Sequence, residues 1–367
     1  MPDRETLVRI LDLARWAPSG DNTQPWRFKI IDDGRVAVHG FDTRDHVIYD
    51  FDGHASHIAH GALLETIRIA ASGFGCTSAW KLRPGCPDTA PIYDVFVREE
   101  ANLGADPLLA YIQTRVVQRR PMRTTPLTSM QKQVLTTAPG EGYEVRFFES
   151  AADRWAMAKL LWENAYVRLT CPEAFQVHRE VIEWGARFSR DRIPEQAVGV
   201  DPLTGKLMRW VMKSWGRVDF FNRYLFGTIV PRIQLDLLPA LGCAAHLVLH
   251  AARPPSDLAD YARVGGAIQR LWLTAASVGL HLQPEMTPVI FNWYARAGRS
   301  VSVLEGLNRR VGSLAGQIGK LMGPAGSAGL VFICRVGVSD TPISRSTRKD
   351  LDELTAQAWQ TEKSNSV

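Results

Sequence analysis

The sequence predicts a mixed chain of helices and strands, built twice on one plan, and three observations carry that prediction. An amphipathic helix runs through a polar loop into a hairpin. A helix rich in small residues then precedes a further strand. Late in the chain that second helix recurs with the same residues at the same spacing. With 367 residues, 46% hydrophobic and 22% charged, the chain has a globular composition and could form one large or two ordinary domains.

In order along the chain, Leu7, Ile10, Leu11 and Ala14 recur at helical spacing. Pro18 stops this helix because it lacks an amide hydrogen and disfavours a helical residue before it. The loop Ala17–Phe28, APSGDNTQPWRF, is dense in hydrogen-bonding side chains. Beyond it Phe28 and Ile30 alternate with Arg27 and Lys29, Asp33-Gly34 supplies a turn, and RVAVHG returns as the second strand. Gly61–Gly75 reads as the small-residue helix and IYDVFVRE, from Ile92, as a strand. In Gly266–Leu280 the pairs Gly266-Ala267 and Gly61-Ala62 match, as do Ala275-Ala276-Ser277 and Ala70-Ala71-Ser72, at an offset of 205.

The second copy has its own front end. SMQKQVLTTAPG is a short helix ended at Ala138-Pro139, and YEVRFFE is a strand with Tyr143, Val145 and Phe147 on one face. Ala17 and Gly61 lie 44 residues apart, whereas Ala138 and Gly266 lie 128 apart, so the second copy holds 84 more. The expected division is a first lobe over 1–108, a second over 109–350 with an insertion at about 172–245, and a tail over 351–367. The insertion mixes Trp210, Trp215, Phe220, Phe221, Tyr224 and Phe226 with Arg209, Lys213, Arg217 and Arg223. A membrane-surface helix would have this composition. So would a helical cap packed over the core or a pocket, and a lid that shapes the site is the expectation adopted.

Several function classes are disfavoured. The formal charge of +5 is spread along the chain, without the basic run that a nucleic-acid surface needs. Five cysteines with no C-x-x-C spacing suit a reducing, cytoplasmic setting rather than a zinc ribbon or a disulfide framework. The longest uncharged stretch, 237–252, is too short to span a bilayer. His54, His57 and His60 fall at intervals of three, but no carboxylate or cysteine completes a metal set. There is no dinucleotide fingerprint, P-loop or nucleophile elbow.

Chemistry is suggested by TRVVQRRPMRTTPLT, where Arg115, Arg119, Arg120 and Arg123 stand close together ahead of a helix. Guanidinium groups bind phosphate oxygens in bidentate fashion, although a solvated basic face would look the same. Combined, the R-x-x-x-R pair, the P-S-G-D-N-T-Q-P-W loop, the G-A-x7-A-A helix and a C-terminal strand followed by arginines resemble the FMN-dependent nitroreductase family. Within it the chain is most similar to the long, internally duplicated, single-chain Acg-like branch.

That resemblance implies an α+β fold of two fused lobes imitating a homodimer, with FMN between them. By position, Arg115 and Arg119 would hold the FMN phosphate, and Pro18, Ser19, Gly20 and Asn22 would come from the facing lobe. Gln24 and Trp26 would stiffen that loop against the cofactor. Gln283, Pro284 and Glu285 would stand where the family presents a backbone amide to flavin N5, and Arg345 or Arg348 would be the last phosphate ligand. The first copy lacks the arginine pair and the second lacks the polar loop, so one FMN per chain is expected. The implied activity is hydride transfer from NAD(P)H through the flavin to an electron-poor acceptor such as a nitroaromatic or quinone, in a monomer or homodimer, with no side chain required as acid or base. The alternatives are a protein that sequesters FMN without turnover and a specialised biosynthetic flavoenzyme.

Overall fold

Asp3 opens the first helix, α1 (Arg4–Ala14), by accepting the Thr6 amide at 2.8 Å, and Leu7, Ile10, Leu11 and Ala14 form its buried stripe. This is the start of a computed structural model that describes residues 1–355; the last part of the expected tail, 356–367, lies outside the described residues. A hairpin follows, β1 (Trp26–Asp32) and β2 (Arg35–Gly40), then α2 (His54–Ser72), β3 (Cys76–Leu82) and β4 (Ile92–Glu99). The four strands form an antiparallel sheet in the order β1-β2-β4-β3.

The second lobe repeats that plan. Its front helix α3 (Ser129–Thr137) starts in a capping box between Thr128 and Gln131 and leads into β5 (Tyr143–Phe148). Next come α4 (Ala151–Thr170), α5 (Pro172–Val181), three two-residue strands, β6 (Ile182–Glu183), β7 (Phe188–Ser189) and β8 (Ile193–Pro194), and four helices, α6 (Pro202–Val211), α7 (Trp215–Tyr224), α8 (Ile229–Arg232) and α9 (Leu238–Leu241). The lobe resumes with β9 (Ala245–Ala251), α10 (Leu258–Ser277) and β10 (His281–Pro284). It continues through α11 (Thr287–Arg296), α12 (Glu305–Met322) and α13 (Pro324–Gly329) to β11 (Leu330–Gly337) and the short β12 (Arg345–Ser346). Its sheet runs β5-β9-β11-β10, so both lobes join first, second, fourth and third strands in the same antiparallel order.

Two inserted segments separate the lobes in size. Where β1 and β2 are joined by a tight turn, β5 and β9 are joined by 149–244, so the insertion begins before the expected 172 and includes α4. A second insertion, α11 to α13, stands where the first lobe has only the loop between β3 and β4. Together they cover the outer face of the second sheet. Leu247, Leu249 and Cys334 pack inward with Ile268 and Leu271 of α10, while Val248 and Ile333 pack outward with Met157, Phe291 and Ile318. The strand period of two thus feeds two cores, and β9 and β11 are buried on both faces.

The lobes meet where α2 crosses α10. A Cβ on Gly61 would lie 1.7 Å from the Ala262 carbonyl oxygen, and one on Gly265 would lie 1.9 Å from that of Ile58. These contacts are reciprocal under an offset of 204, as are Thr66 with Gln269 at 2.9 Å and Glu65 with Arg270 at 3.0 Å. Reciprocity of this kind marks a two-fold relation. The expected offset of 205 is therefore corrected by one: Gly61 pairs with Gly265, not Gly266. Among the described residues no helix is long and apolar enough to cross a membrane.

Candidate functional site

Between the lobes lies a cavity of about 410 Å³ with walls from both. The first lobe supplies Pro18, Ser19, Gly20 and Asp21, with Ile58, Ala59 and Ala62 of α2. The second supplies Val117, Arg119, Trp272 and the junction Gln283–Thr287, and the insertion adds Arg168, His178 and Asp236. The size and the mostly apolar lining with a few convergent polar groups suit a small organic ligand. Of the expected site residues, Pro18, Ser19, Gly20, Arg119, Gln283, Pro284 and Glu285 open on this cavity.

The polar loop is held in an unusual backbone. Asp21, Asn22 and Gln24 have φ of 50°, 64° and 50°, a left-handed conformation that costs non-glycine residues on the order of 1 kcal/mol or more each. What enforces it is a set of distant partners. Gln24 donates to the carbonyls of Asn22 and Arg190 at 3.0 and 2.8 Å and accepts the Lys349 amide at 2.9 Å, while Ser19 Oγ accepts the Gln24 amide. Asn22 Nδ2 donates to the Thr347 and Arg192 carbonyls. Asn22 and Gln24 are thus buried behind the loop and do not line the cavity, a correction to the expected ligand contact of Asn22 and to the placing of Gln24 among the cofactor-binding residues, while Gln24 braces the loop as its expected stiffening role required. The residue they thrust forward is Asp21, whose carboxylate has no hydrogen bond or ion pair among the described residues. Burial raises its pKa, against the opposing pull of Arg119 and Arg168.

The arginines divide in the same way. Arg119 faces the cavity with one bond to the Ala197 carbonyl at 3.2 Å and no carboxylate in ion-pair contact among the described residues, and burial, against the pull of Asp21, lowers its pKa to about 10. Arg115, Arg345 and Arg348 do not line the cavity. They converge behind the loop, where Arg115 and Arg348 donate to the carbonyls of Trp16 and Ala17, and Arg345 to those of Gln113 and Arg115. Arg115 also stacks 4.3 Å over Trp272, whose ring forms the cavity wall. No carboxylate pairs with any of the three among the described residues, and Arg115 Nε and Arg345 Nε are buried without partners. Burial and mutual repulsion hold the Arg115 pKa well below its usual value and bring Arg348 to about 9.

At the β10–α11 junction the Glu285 amide donates to the Ile333 carbonyl at 2.7 Å, so it extends the sheet and is not free for a ligand. The neighbouring amides at the start of α11 have no intrahelical acceptor and begin at the cavity wall. Gln283 Oε1 is buried there without a partner. The Glu285 side chain bridges Arg335 at 3.0 Å and His246 Nδ1 at 2.8 Å. Burial opposes charge on His246, but the Glu285 carboxylate outweighs it and raises the imidazole pKa to about 10.

Sequence reasoning did not name the side chains of the wall that the insertion builds with Tyr49 of the first lobe. Tyr49 and His178 are hydrogen-bonded at 3.0 Å, and Arg168 pairs with Asp236 at 2.9 Å. Burial, then Arg168, lowers the His178 pKa to about 3, and burial raises that of Tyr49. Nothing local in the sequence marks these residues, since Tyr49 and His178 are 129 positions apart. The insertion does line the cavity, through His178, Ile182, Val198 and Asp236 among others, but the aromatic residues expected in its lid do not: none of those of α6 and α7 reaches it. The three α2 histidines lie off it, with His60 bonded to the Pro25 carbonyl and His54 stacked on Tyr261.

Against this geometry stand the comparisons with known proteins. Residues 1–57 match the Nitroreductase family model. The matched segment contains the whole strained loop and supports an oxidoreductase in general terms. Among solved structures, the FMN-dependent nitroreductase NfnB from Mycobacterium smegmatis, in complex with NADPH, is similar over 67% of this chain and 95% of its own, at 14% identity and a TM-score of 0.36. No curated protein matches.

Proposed function

We propose that the whole chain is an internally duplicated nitroreductase-family protein that binds one FMN between its lobes and passes reducing equivalents from NAD(P)H to an electron-poor acceptor, a nitroaromatic or a quinone. The observation that carries this reading is convergence: the Pro18–Asp21 turn of one lobe and Arg119 with Gln283–Thr287 of the other open on the same cavity. The residues suit the cofactor. Arg119 is a cavity-facing guanidinium that makes no ion pair among the described residues and feels only the attraction of nearby Asp21, and three more guanidiniums with no carboxylate partner among the described residues stand at the root of the loop, so a bound phosphate would relieve a buried positive charge. Bound FMN would supply the two-electron chemistry that no side chain offers.

The chain's own part is to hold, orient and shield. Arg119 would neutralise the phosphate, and Gln283 Oε1 would accept a ring N–H. The α11 amides, at the positive end of the helix dipole, would favour negative charge at the ring. Tyr49, bonded to His178, keeps a proton at Oη on the cavity wall. A cytoplasmic setting and sufficiency as a monomer belong to the same proposal.

One site per chain follows from the loss of symmetry. At the counterpart of Trp272 stands Arg68, and the hollow of about 270 Å³ beside it is crossed by Arg68 and Arg270 paired with Glu65 and Asp106. Its charges are already matched internally. The test is anaerobic visible spectroscopy of the purified protein with added NADPH or NADH. The expected outcome is one FMN per chain whose yellow band bleaches within seconds. Failure to bind FMN, or two flavins per chain, overturns the reading, while a flavin bleached by dithionite but by neither nucleotide identifies a storage protein.

A further inference from the structure

The aromatic segment absent from the cavity is exposed on the opposite account. In α6 the apolar stripe Leu203, Leu207 and Trp210, at i, i+4 and i+7, faces solvent, with Leu203 77% exposed. Amphipathic helices in globular proteins turn that stripe inward. The stripe continues through ring contacts from Trp210 to Phe221 at 5.9 Å, on to Phe220, and to Tyr224 at 5.3 Å. It ends at Phe226, which is 79% exposed at the corner before α8 and has φ of 52°. A bulky residue in that backbone region is a strained outlier, held here by the Gly227 and Ile229 amides bonded to the Phe221 and Phe226 carbonyls, and strain of this kind clusters at sites of contact.

The flank of this apolar surface is basic. Lys206 and Arg209 lie one row round from the stripe on α6, and Lys213 follows them, all exposed and none ion-paired among the described residues. Arg217 stacks on Trp210 at 4.4 Å, and Asp219, the one acid of α6 and α7, is already paired with Arg223. Apolar and aromatic side chains on one face with cations beside them are the composition that rests in a headgroup layer, and the cations select anionic lipid.

We propose that the α6–α7 face is a docking surface for an anionic membrane, with Phe226 and Trp210 entering the headgroup layer and Lys206, Arg209 and Lys213 meeting lipid phosphates. This is independent of what the cavity binds. The test is co-sedimentation of the full chain with vesicles of phosphatidylcholine alone or mixed equally with phosphatidylglycerol, at low and high salt, with light scattering of the protein by itself. The expected result is binding at least about tenfold tighter to the mixed vesicles, weakened by salt. Phe226→Ser, an exposed site that leaves the fold intact, should reduce binding to both kinds of vesicle, and the double substitution Lys206→Glu with Arg209→Glu should abolish the preference for the anionic kind. The proposal is overturned if mixed vesicles do not bind, if neither variant differs from the parent, or if the protein is a dimer that Phe226→Ser splits and that ignores vesicles, which would make the face a contact between copies.

Discussion

Asp21 sits where two costs coincide, a left-handed backbone and a half-buried carboxylate with no hydrogen bond or ion pair among the described residues. Replacing it by glycine removes both, so Asp21→Gly should raise stability by about 1 kcal/mol in a denaturant melt. The same change should alter flavin binding or turnover if the strain serves the site. Arg119→Ala should act in the opposite sense, lowering FMN affinity at least about tenfold in a fluorescence titration while leaving the melt nearly unchanged, because charge-assisted contacts are worth roughly 1.5–3 kcal/mol. Gln24→Ala should weaken both, since its side chain braces the Asn22 carbonyl and ties the loop to 190 and 349. The loop's polarity was legible in the sequence, and so was Arg119. The direction of Asn22 was not, because its side-chain partners at 192 and 347 are at least 170 positions away and no local pattern reports them.

For the elements, the helix pair α2 and α10 gives the sharpest case. The string Val264-Gly265-Gly266-Ala267 allows two registers, and residue identity alone favours the one that aligns Gly266 with Gly61. Space decides otherwise. A Cβ on Gly266 would meet nothing nearer than 3.7 Å, whereas one on Gly265 would strike backbone at 1.9 Å. Gly266→Ala should therefore be neutral or slightly stabilising, as alanine is the better helix former. Gly61→Ala or Gly265→Ala should cost about 3 kcal/mol or more, because backbone has to move apart. Thermal melts of the three variants separate these outcomes. Strand order is not legible from periodicity, and the helices of 287–329 escaped notice because those between β10 and β11 have no counterpart in the first lobe to compare with.

Across the molecule, buried and half-buried histidines set a pH range for stability. His246 has a folded pKa of about 10, above the unfolded value near 6.5, so the stabilisation from its Glu285 contact is complete below pH 6.5 and declines as pH rises toward 10. His54, His60 and His178, at about 4, 4 and 3, work in reverse, since the unfolded chain takes up protons that the folded one refuses, and stability falls as pH drops below 6.5. Denaturant melts from pH 5 to 9 should show a maximum near neutrality, and His246→Gln should flatten only the alkaline side. One further consequence follows from the way 345–355 threads back from the second lobe, where Arg348 grips the Ala17 carbonyl and Leu354 enters the first lobe's core. Both walls of the cavity belong to a single covalent strand that returns upon itself, so dilution cannot part them, and the affinity for a ligand there should be the same at nanomolar as at micromolar protein.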